Sequence, residues 1–225
     1  MSAFFITATG TEIGKTHVAC GLIRQLSARG DHVDALKPVV TGFDPARANE
    51  SDPGQLLAAL GRPVGLDGIA QVSPWRFAAP LAPDMAARRE GRALDFDAIV
   101  DHSRKAVRNH RGTLLIEGIG GVMVPLSGQH TVLDWMVAVG APPIVVTGSY
   151  LGSISHTLTC LDVLRRRELA VRALVVNETP GATVSMEDTI ECLSQFTGPI
   201  PMCALFRQGQ GRDDRSFARI IELLQ

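Results

Sequence analysis

FFITATGTEIGKT, residues Phe4 to Thr16, decides how this chain is read. An apolar run, Phe4–Ala8, has the composition of a short strand. A glycine-bearing turn follows, and then a helical pattern over Lys15–Arg29. The tail of the turn, Gly14-Lys15-Thr16, supplies three things that a phosphate cradle needs. These are a lysine to meet negative charge, a hydroxyl for a divalent cation, and the amides of a helix start. The usual spacing places a glycine five positions ahead of Gly14. Thr9 stands there, and the nearest glycine, Gly10, comes one residue late. The strand before and the helix after are the context that distinguishes a phosphate loop from an ordinary glycine-rich turn.

The rest of the chain repeats the strand-then-helix rhythm. Val33–Lys37, Leu114–Glu117, Pro143–Thr147, Val171–Asn177 and Pro201–Leu205 read as strands. Helical patterns lie between them, most clearly over Asp95–Arg111, Ser153–Arg167 and Ser185–Phe196. Alternation of this kind predicts an α/β fold of three layers, a mostly parallel sheet with helices on both faces. The strands are apolar throughout rather than alternating, as a sheet covered on both sides requires. With no repeat and no linker, residues 1–225 read as a single domain.

Ligands of such sheets bind beyond the carboxyl ends of the strands, so the residues there are the candidates. Lys37 stands at the end of the second strand, followed by Pro38-Val39-Val40-Thr41-Gly42. A charged lysine there is either solvated or paired, because an unpaired ammonium does not enter a core. Ser51-Asp52-Pro53 reads as a helix cap ahead of Gln55–Leu60 or as an acidic site element. Glu117 closes an apolar strand and is followed by Gly118-Ile119-Gly120-Gly121. A carboxylate in that position is suited to hold Mg²⁺ directly or through water, and glycines let backbone approach a ligand. Later strands lead to Tyr150-Leu151-Gly152-Ser153 and to Asn177-Glu178. Asn177 is either a base-recognising amide or a turn former.

Composition narrows the classes. The chain is 45% hydrophobic and 20% charged with a net charge of −1, which disfavours nucleic acid or an anionic membrane as its partner. The four cysteines, Cys20, Cys160, Cys192 and Cys203, form no C-x-x-C pair and read as small buried hydrophobes. No basic segment precedes the first apolar run, which is too short for a signal or a span, so a cytoplasmic protein is expected. Lysine occurs at positions 15, 37 and 105 alone, and every other member of the 22 cationic side chains is arginine. A lysine kept against that bias marks a place that needs a compact ammonium.

Taken together and in this order, these features resemble the dethiobiotin synthetase family, of the P-loop NTPase fold, over most of the chain. The family loop is similar to G-T-x-T-x-x-G-K-T. Thr9, Thr11, Glu12, Gly14, Lys15 and Thr16 match it, and Ala8 replaces the first glycine. Lys37-Pro38-Val39 with Thr41-Gly42 resembles K-P-V-x-[S/T]-G, and Glu117-Gly118-Ile119-Gly120-Gly121 resembles E-G-A-G-G. Phe77-Ala78 with Pro80 and Pro83 is similar to a proline-rich stretch of the family. Three positions depart from the pattern: Ile119 replaces a small residue, Glu178 an aspartate, and Ser155 an asparagine.

The resemblance implies a cyclo-ligase that joins 7,8-diaminononanoate and CO₂ into dethiobiotin, with ATP as co-substrate and Mg²⁺ as cofactor. It implies catalytic roles for Lys37 and Lys15, and Mg²⁺ on Thr16, Asp52 and Glu117. Nucleotide contacts would come from Glu12, Ile13, Gly14, Lys15, Thr16, His17, Asp52, Glu117, Gly118, Ile119, Gly120, Asn177 and Glu178. Thr11, Glu12, Thr41, Gly152 and Ser153 would meet the diamine, the last two within a homodimer. The rival is a partition- or division-type switch ATPase acting through protein partners. Such proteins carry an extra lysine where this chain has Gly10, and their membrane forms end in an amphipathic helix. Here Phe217, Ile220, Ile221 and Leu224 form one stripe within Arg215–Gln225, which reads as packing onto the domain.

Overall fold

A computed structural model describes residues 2–206 and 212–224. The first half of the chain forms β1 (Ser2–Ala8), α1 (Lys15–Ala28), β2 (Val33–Leu36), β3 (Val39–Thr41), α2 (Asp52–Ala59), α3 (Leu66–Val72), β4 (Trp75–Phe77), α4 (Pro83–Arg89) and α5 (Phe96–Asn109). Then come β5 (Thr113–Glu117), α6 (Val132–Val139), β6 (Pro143–Gly148), α7 (Ser153–Arg166), β7 (Ala173–Asn177), α8 (Met186–Ser194), β8 (Met202–Leu205) and α9 (Arg212–Leu224). Gln225, read from sequence as the end of the last helix, lies outside the described residues.

Six strands form one sheet in the order β2-β5-β1-β6-β7-β8, and every pairing in it is parallel. β1 lies inside the sheet, with β5 on one side and β6 on the other, so the strand order switches sides there while all strands stay parallel. That is the switch point where α/β sheets open a ligand crevice. The registers Ile6↔Glu117 and Leu36↔Ile116 place the ends of β1, β5 and β2 side by side.

The two faces of the sheet hold separate apolar clusters. Phe4, Ile6 and Ala8 of β1 pack with Val18, Leu22 and Ile23 of α1 and with α2 and α9. Phe5 points to the other face, where Trp135 meets its ring edge-on at 4.7 Å among residues of α5, α6 and α7. Successive strand residues face opposite sides, so a strand covered on both sides carries no polar alternation. Helix starts follow local chemistry. Asp95 caps α5 through Ala98 N–H at 3.0 Å, Ser185 caps α8 through Asp188 N–H at 3.0 Å, and Thr131 with Asp134 forms a capping box on α6.

Two parts of the fold differ from the sequence reading. Lys37 is not in the second strand, because its amide leaves the ladder and bonds Val72 C=O at 3.1 Å. The segment after it is not plain loop: Val39–Thr41 pairs in parallel with Trp75–Phe77 in a separate two-stranded sheet. A three-residue strand whose partner lies far along the chain leaves no local pattern.

The C-terminal stripe packs as read. Phe217, Ile220, Ile221 and Leu224 are buried against α1 and the sheet. No described helix is long and apolar enough to cross a membrane. Phe217 lies so close over α1 that a methyl group on Gly21 would overlap its ring. An exposed helical glycine changed to alanine gains about 1 kcal/mol, but overpacking costs about 1–3 kcal/mol. Gly21→Ala is therefore expected to lower stability by up to about 2 kcal/mol, read as a fall in urea midpoint at unchanged slope.

Candidate active site

Everything at the site is built outward from the end of β1. Ala8 is the last strand residue, fully buried and in register with Val146. It sits in ordinary extended backbone, so no glycine is required there. Gly10 is likewise not forced, since a side chain there would meet only Ile13 at ordinary contact distance. The conformational demand falls later in the loop. Glu12 has φ 59° and Gly14 has φ 104°, both left-handed. Left-handed residues alternating with ordinary ones turn successive amides inward to form an anion-binding concavity. Gly14 is also the N-cap of α1, with no side chain on the first amides and no acidic residue in the first turn. The open end of that helix is thus left to a ligand.

Lys15 folds back over the loop and donates to Gly10 C=O at 3.1 Å. It is buried, and that burial, reinforced by Lys37, pushes its pKa down to about 8 despite Glu117 and Asp52. Thr16 donates from Oγ1 to Glu117 Oε1 at 2.8 Å. Asn177, at the end of β7, donates from Nδ2 to Ile13 C=O at 2.8 Å and so pins the loop from the far side. A chain of hydroxyls adds a second tie. Thr9 Oγ1 lies 3.3 Å from Thr147 Oγ1, which lies 2.7 Å from Thr157 Oγ1, and Thr157 donates to Ser153 C=O at 2.7 Å.

Lys37 is the centre of charge. Its Nζ lies 2.6 Å from Glu117 Oε1 and 2.8 Å from Asp52 Oδ2, and it donates to Gly118 C=O at 3.2 Å. Burial alone would lower the Lys37 pKa, but Glu117 and then Asp52 outweigh it, and the ammonium is held above the ordinary lysine value. Burial raises the Asp52 pKa, but Lys37 and a Thr16 hydrogen bond reverse this and hold the carboxyl below the ordinary value. Asp52 owes its place to α2, which Ser51 caps by accepting Gly54 N–H at 3.2 Å. The cap reading of Ser51 holds, and the aspartate beside it reaches Lys37.

These groups line a cavity of about 720 Å³, a volume typical of small-molecule sites. Thr11, Glu12, Gly14, Lys15, Thr16, Lys37, Thr41, Asp52, Glu117, Ile119 and Gly120 are on its wall. Gly120 has φ 58°, and a side chain on it would press on Val124 at 2.6 Å. Gly118 faces away, where a side chain would meet Phe5 at 2.9 Å, and it contributes its carbonyl to Lys37.

Other candidates lie outside the cavity. The His17 ring sits 5.8 Å from Phe217 on the α9 side. Asn177 meets the backbone of the loop, and Glu178 N–H donates to Leu205 C=O of β8 at 2.9 Å. Gly152 and Ser153 start α7, beside Leu151, which is 80% exposed. Sequence reasoning gave no role to Val40, Leu81, Ala82 and Val124, which also line the cavity, and singled out Pro80 and Pro83 only as a likeness. The proline-rich spacing was the available signal. Its wall position depends on Gly42 N–H donating to Ala79 C=O at 3.1 Å and on Glu90 accepting Ala78 N–H at 2.7 Å.

A divalent cation fits the donor set. Glu117 Oε2 is buried with no hydrogen-bond partner among the described residues, and Thr16 and Asp52 add hard oxygens. Among the described residues no group of three or more His, Cys, Asp or Glu is arranged to hold a metal. Two carboxylates and a hydroxyl suit an ion that completes its shell with phosphate and water, as Mg²⁺ does.

A family model described as an AAA domain matches residues 2–206. The ATP-dependent dethiobiotin synthetase BioD of Acidiphilium cryptum is 47% identical over 202 residues, which covers 89% of this chain and 91% of that protein. The chain belongs to the dethiobiotin synthetase family. The synthetase of Caulobacter sp. strain K31 is 47% identical over 203 residues, 90% of this chain and 86% of its own. Solved structures resemble the synthetase-family chain in fold alone. The Aquifex aeolicus MinC:MinD cell division complex matches with TM-score 0.58 at 12% identity, over 99% of this chain and 93% of that one. A ParA family ATPase from Chlorobium tepidum matches with TM-score 0.57 at 11% identity, over 100% and 98%. The fold is thus shared with a cell division complex and a ParA family ATPase, while sequence identity lies with the synthetases.

The low Lys15 pKa has a measurable consequence. Between about pH 8 and 10.5 the unfolded chain binds this proton while the folded one has released it, so Lys15 adds stability as pH rises through that window. Lys15→Met removes the effect. The variant is expected to exceed its parent in stability at pH 7 by roughly 2–3 kcal/mol, with the gap closing towards pH 10.5, in parallel urea titrations.

Proposed function

We propose that this chain converts 7,8-diaminononanoate, CO₂ and ATP to dethiobiotin, ADP and phosphate. One observation carries the reading. A buried ammonium, Lys37, lies between two carboxylates in the same cavity that the phosphate loop lines with Lys15 and Thr16. The family's known members and the K-P-V-x-T-G match support it.

The chemistry begins when one amine of the diamine attacks CO₂ and loses a proton, leaving a carbamate. A carbamate oxygen attacks the γ-phosphorus of ATP, displacing ADP and forming a carbamic–phosphoric anhydride. The second amine attacks the carbonyl carbon, loses a proton and displaces phosphate, which closes the five-membered cyclic urea. Phosphoryl transfer of this kind needs positioning and charge stabilisation more than covalent help.

Each residue then has a task. Lys15 and the amides following Gly14 neutralise the β- and γ-phosphates. Lys37 faces the point where carbamate and γ-phosphate, both anionic, must meet. Thr16, Asp52 and Glu117 would hold Mg²⁺, which would supply positive charge to offset that of the phosphates. Thr41, Thr11 and Glu12 offer the diamine its hydrogen bonds from the cavity wall. Ile13, Gly118, Ile119 and Gly120 contribute loop backbone and His17 the first turn of α1 around the nucleotide, and Asn177 with Glu178 would meet its base. Gly152 and Ser153 lie off the chain's own cavity, beside an exposed leucine. This supports a homodimer in which they complete the partner's diamine site.

Incubating protein with ATP, Mg²⁺, bicarbonate and the diamine is expected to yield phosphate and a cyclic urea, identified by mass. Phosphate release that ignores the diamine would overturn the reading in favour of a switch ATPase, and phosphate on an acceptor would favour a kinase. Lys37→Arg is expected to lower kcat by about 10²-fold or more while ATP still binds, since a planar fork cannot replace a compact ammonium between two anions. Near-normal turnover would sink that role for Lys37.

A further inference from the structure

The Lys37 ammonium has three N–H donors and no more. In this structure the three oxygens around it account for all of them: Glu117 Oε1 at 2.6 Å, Asp52 Oδ2 at 2.8 Å and Gly118 C=O at 3.2 Å. None is left for a carbamate or a γ-phosphate. Two of the three acceptors, Glu117 and Asp52, belong to the set that fits a divalent cation. The third member of that set, Thr16, donates to the same Glu117 oxygen that Lys37 holds. The lysine and the metal therefore compete for the same carboxylates.

Charge makes the competition close to exclusive. With the lysine side chain 3% exposed and the glutamate side chain 1% exposed, the pair is shielded from water. Two ammoniums, Lys37 and Lys15, stand against Asp52 and Glu117 in the same cavity, so a further cation enters most readily where an ammonium leaves. An ammonium and a divalent ion both inside it would repel strongly in such surroundings. Glu117 Oε2, buried and unpartnered among the described residues, is the oxygen still open to an incoming ion.

We propose that Lys37 is a placeholder cation. It holds Asp52 and Glu117 in the nucleotide-free protein and is released towards the reacting oxygens when Mg²⁺ arrives with the nucleotide. The inference rests on the Mg²⁺–ATP reading above and adds an order to it. The ammonium needed between carbamate and γ-phosphate becomes available only after metal and nucleotide are in place. Lys37 then acts twice, first as a positioning residue for the two carboxylates and then as a catalytic one.

Mn²⁺ binding to nucleotide-free protein, followed by electron paramagnetic resonance, tests this directly. Lys37→Met is expected to bind Mn²⁺ about tenfold or more tightly than its parent, because removing an occupant raises apparent affinity by the inverse of the vacant fraction. Equal or weaker binding by folded Lys37→Met overturns the proposal.

If that variant does not fold, the parent answers through its lysine side chains, which number three in the chain. Lys105→Arg, on α5 and away from the cavity, leaves two ε-¹⁵N signals. The slowly exchanging Lys37 signal is expected to persist with a non-hydrolysable ATP analogue and chelator, then to shift and exchange faster once Mg²⁺ is added. A Lys37 signal that responds to the analogue alone and ignores Mg²⁺ overturns the proposal. Failure of the parent to bind Mn²⁺ with ATP would instead overturn the functional reading. That result is distinct from a parent that binds Mn²⁺–ATP while Lys37→Met gains nothing.

Discussion

A buried lysine held by two carboxylates organises this molecule at the point where two strands end and a helix begins. Lys37 follows β2, Glu117 closes β5, and Asp52 opens α2. Removing one member of such a set leaves an uncompensated buried charge, at a cost of about 3–5 kcal/mol. Replacing the whole set with apolar residues is often neutral or stabilising. Stability is therefore a weak reason for the cluster to exist. The cluster lies in the cavity wall, where the ammonium stands beside the loop that carries Lys15 and Thr16.

Around that charge, the loop is held by contacts that do not depend on its nominal first glycine. Ala8 stays in the strand, and Gly10 has ordinary backbone and open space. The curvature comes from Glu12 and Gly14, and the hold comes from Asn177 on Ile13 and from Thr9 through Thr147 to Thr157. The missing glycine at position 9 is thus no defect. The loop makes its sharp turn just before the helix, where amides must point at a phosphate.

The comparison with MinD and ParA structures separates fold from activity. The fold is common to a cell division complex, a ParA family ATPase and this synthetase-family chain. Function resides in what the other strand ends bring to that loop. Here they bring Lys37, Asp52, Glu117 and a proline-bearing wall. The C-terminal helix, which could suggest a membrane-targeted relative, is used for packing: Phe217 and its stripe lie against α1.

Sequence alone was enough for the strand–helix alternation, the phosphate loop and the candidate status of Lys37, Asp52 and Glu117. Those features depend on local periodicity, on glycine and hydroxyl chemistry, and on charges at the ends of apolar runs. It did not reveal that the three meet at hydrogen-bond distance, that Val39–Thr41 pairs with Trp75–Phe77, or that Gly21 must stay bare beneath Phe217. Nor did it show that His17 turns to the α9 side, or that Gly152 and Ser153 sit off the cavity wall. Each of these depends on residues far apart in the chain being packed together. A side chain's type is written locally, but its partner is chosen by the sheet order, which sets β2, β5 and β1 edge to edge and lets one ammonium reach two carboxylates.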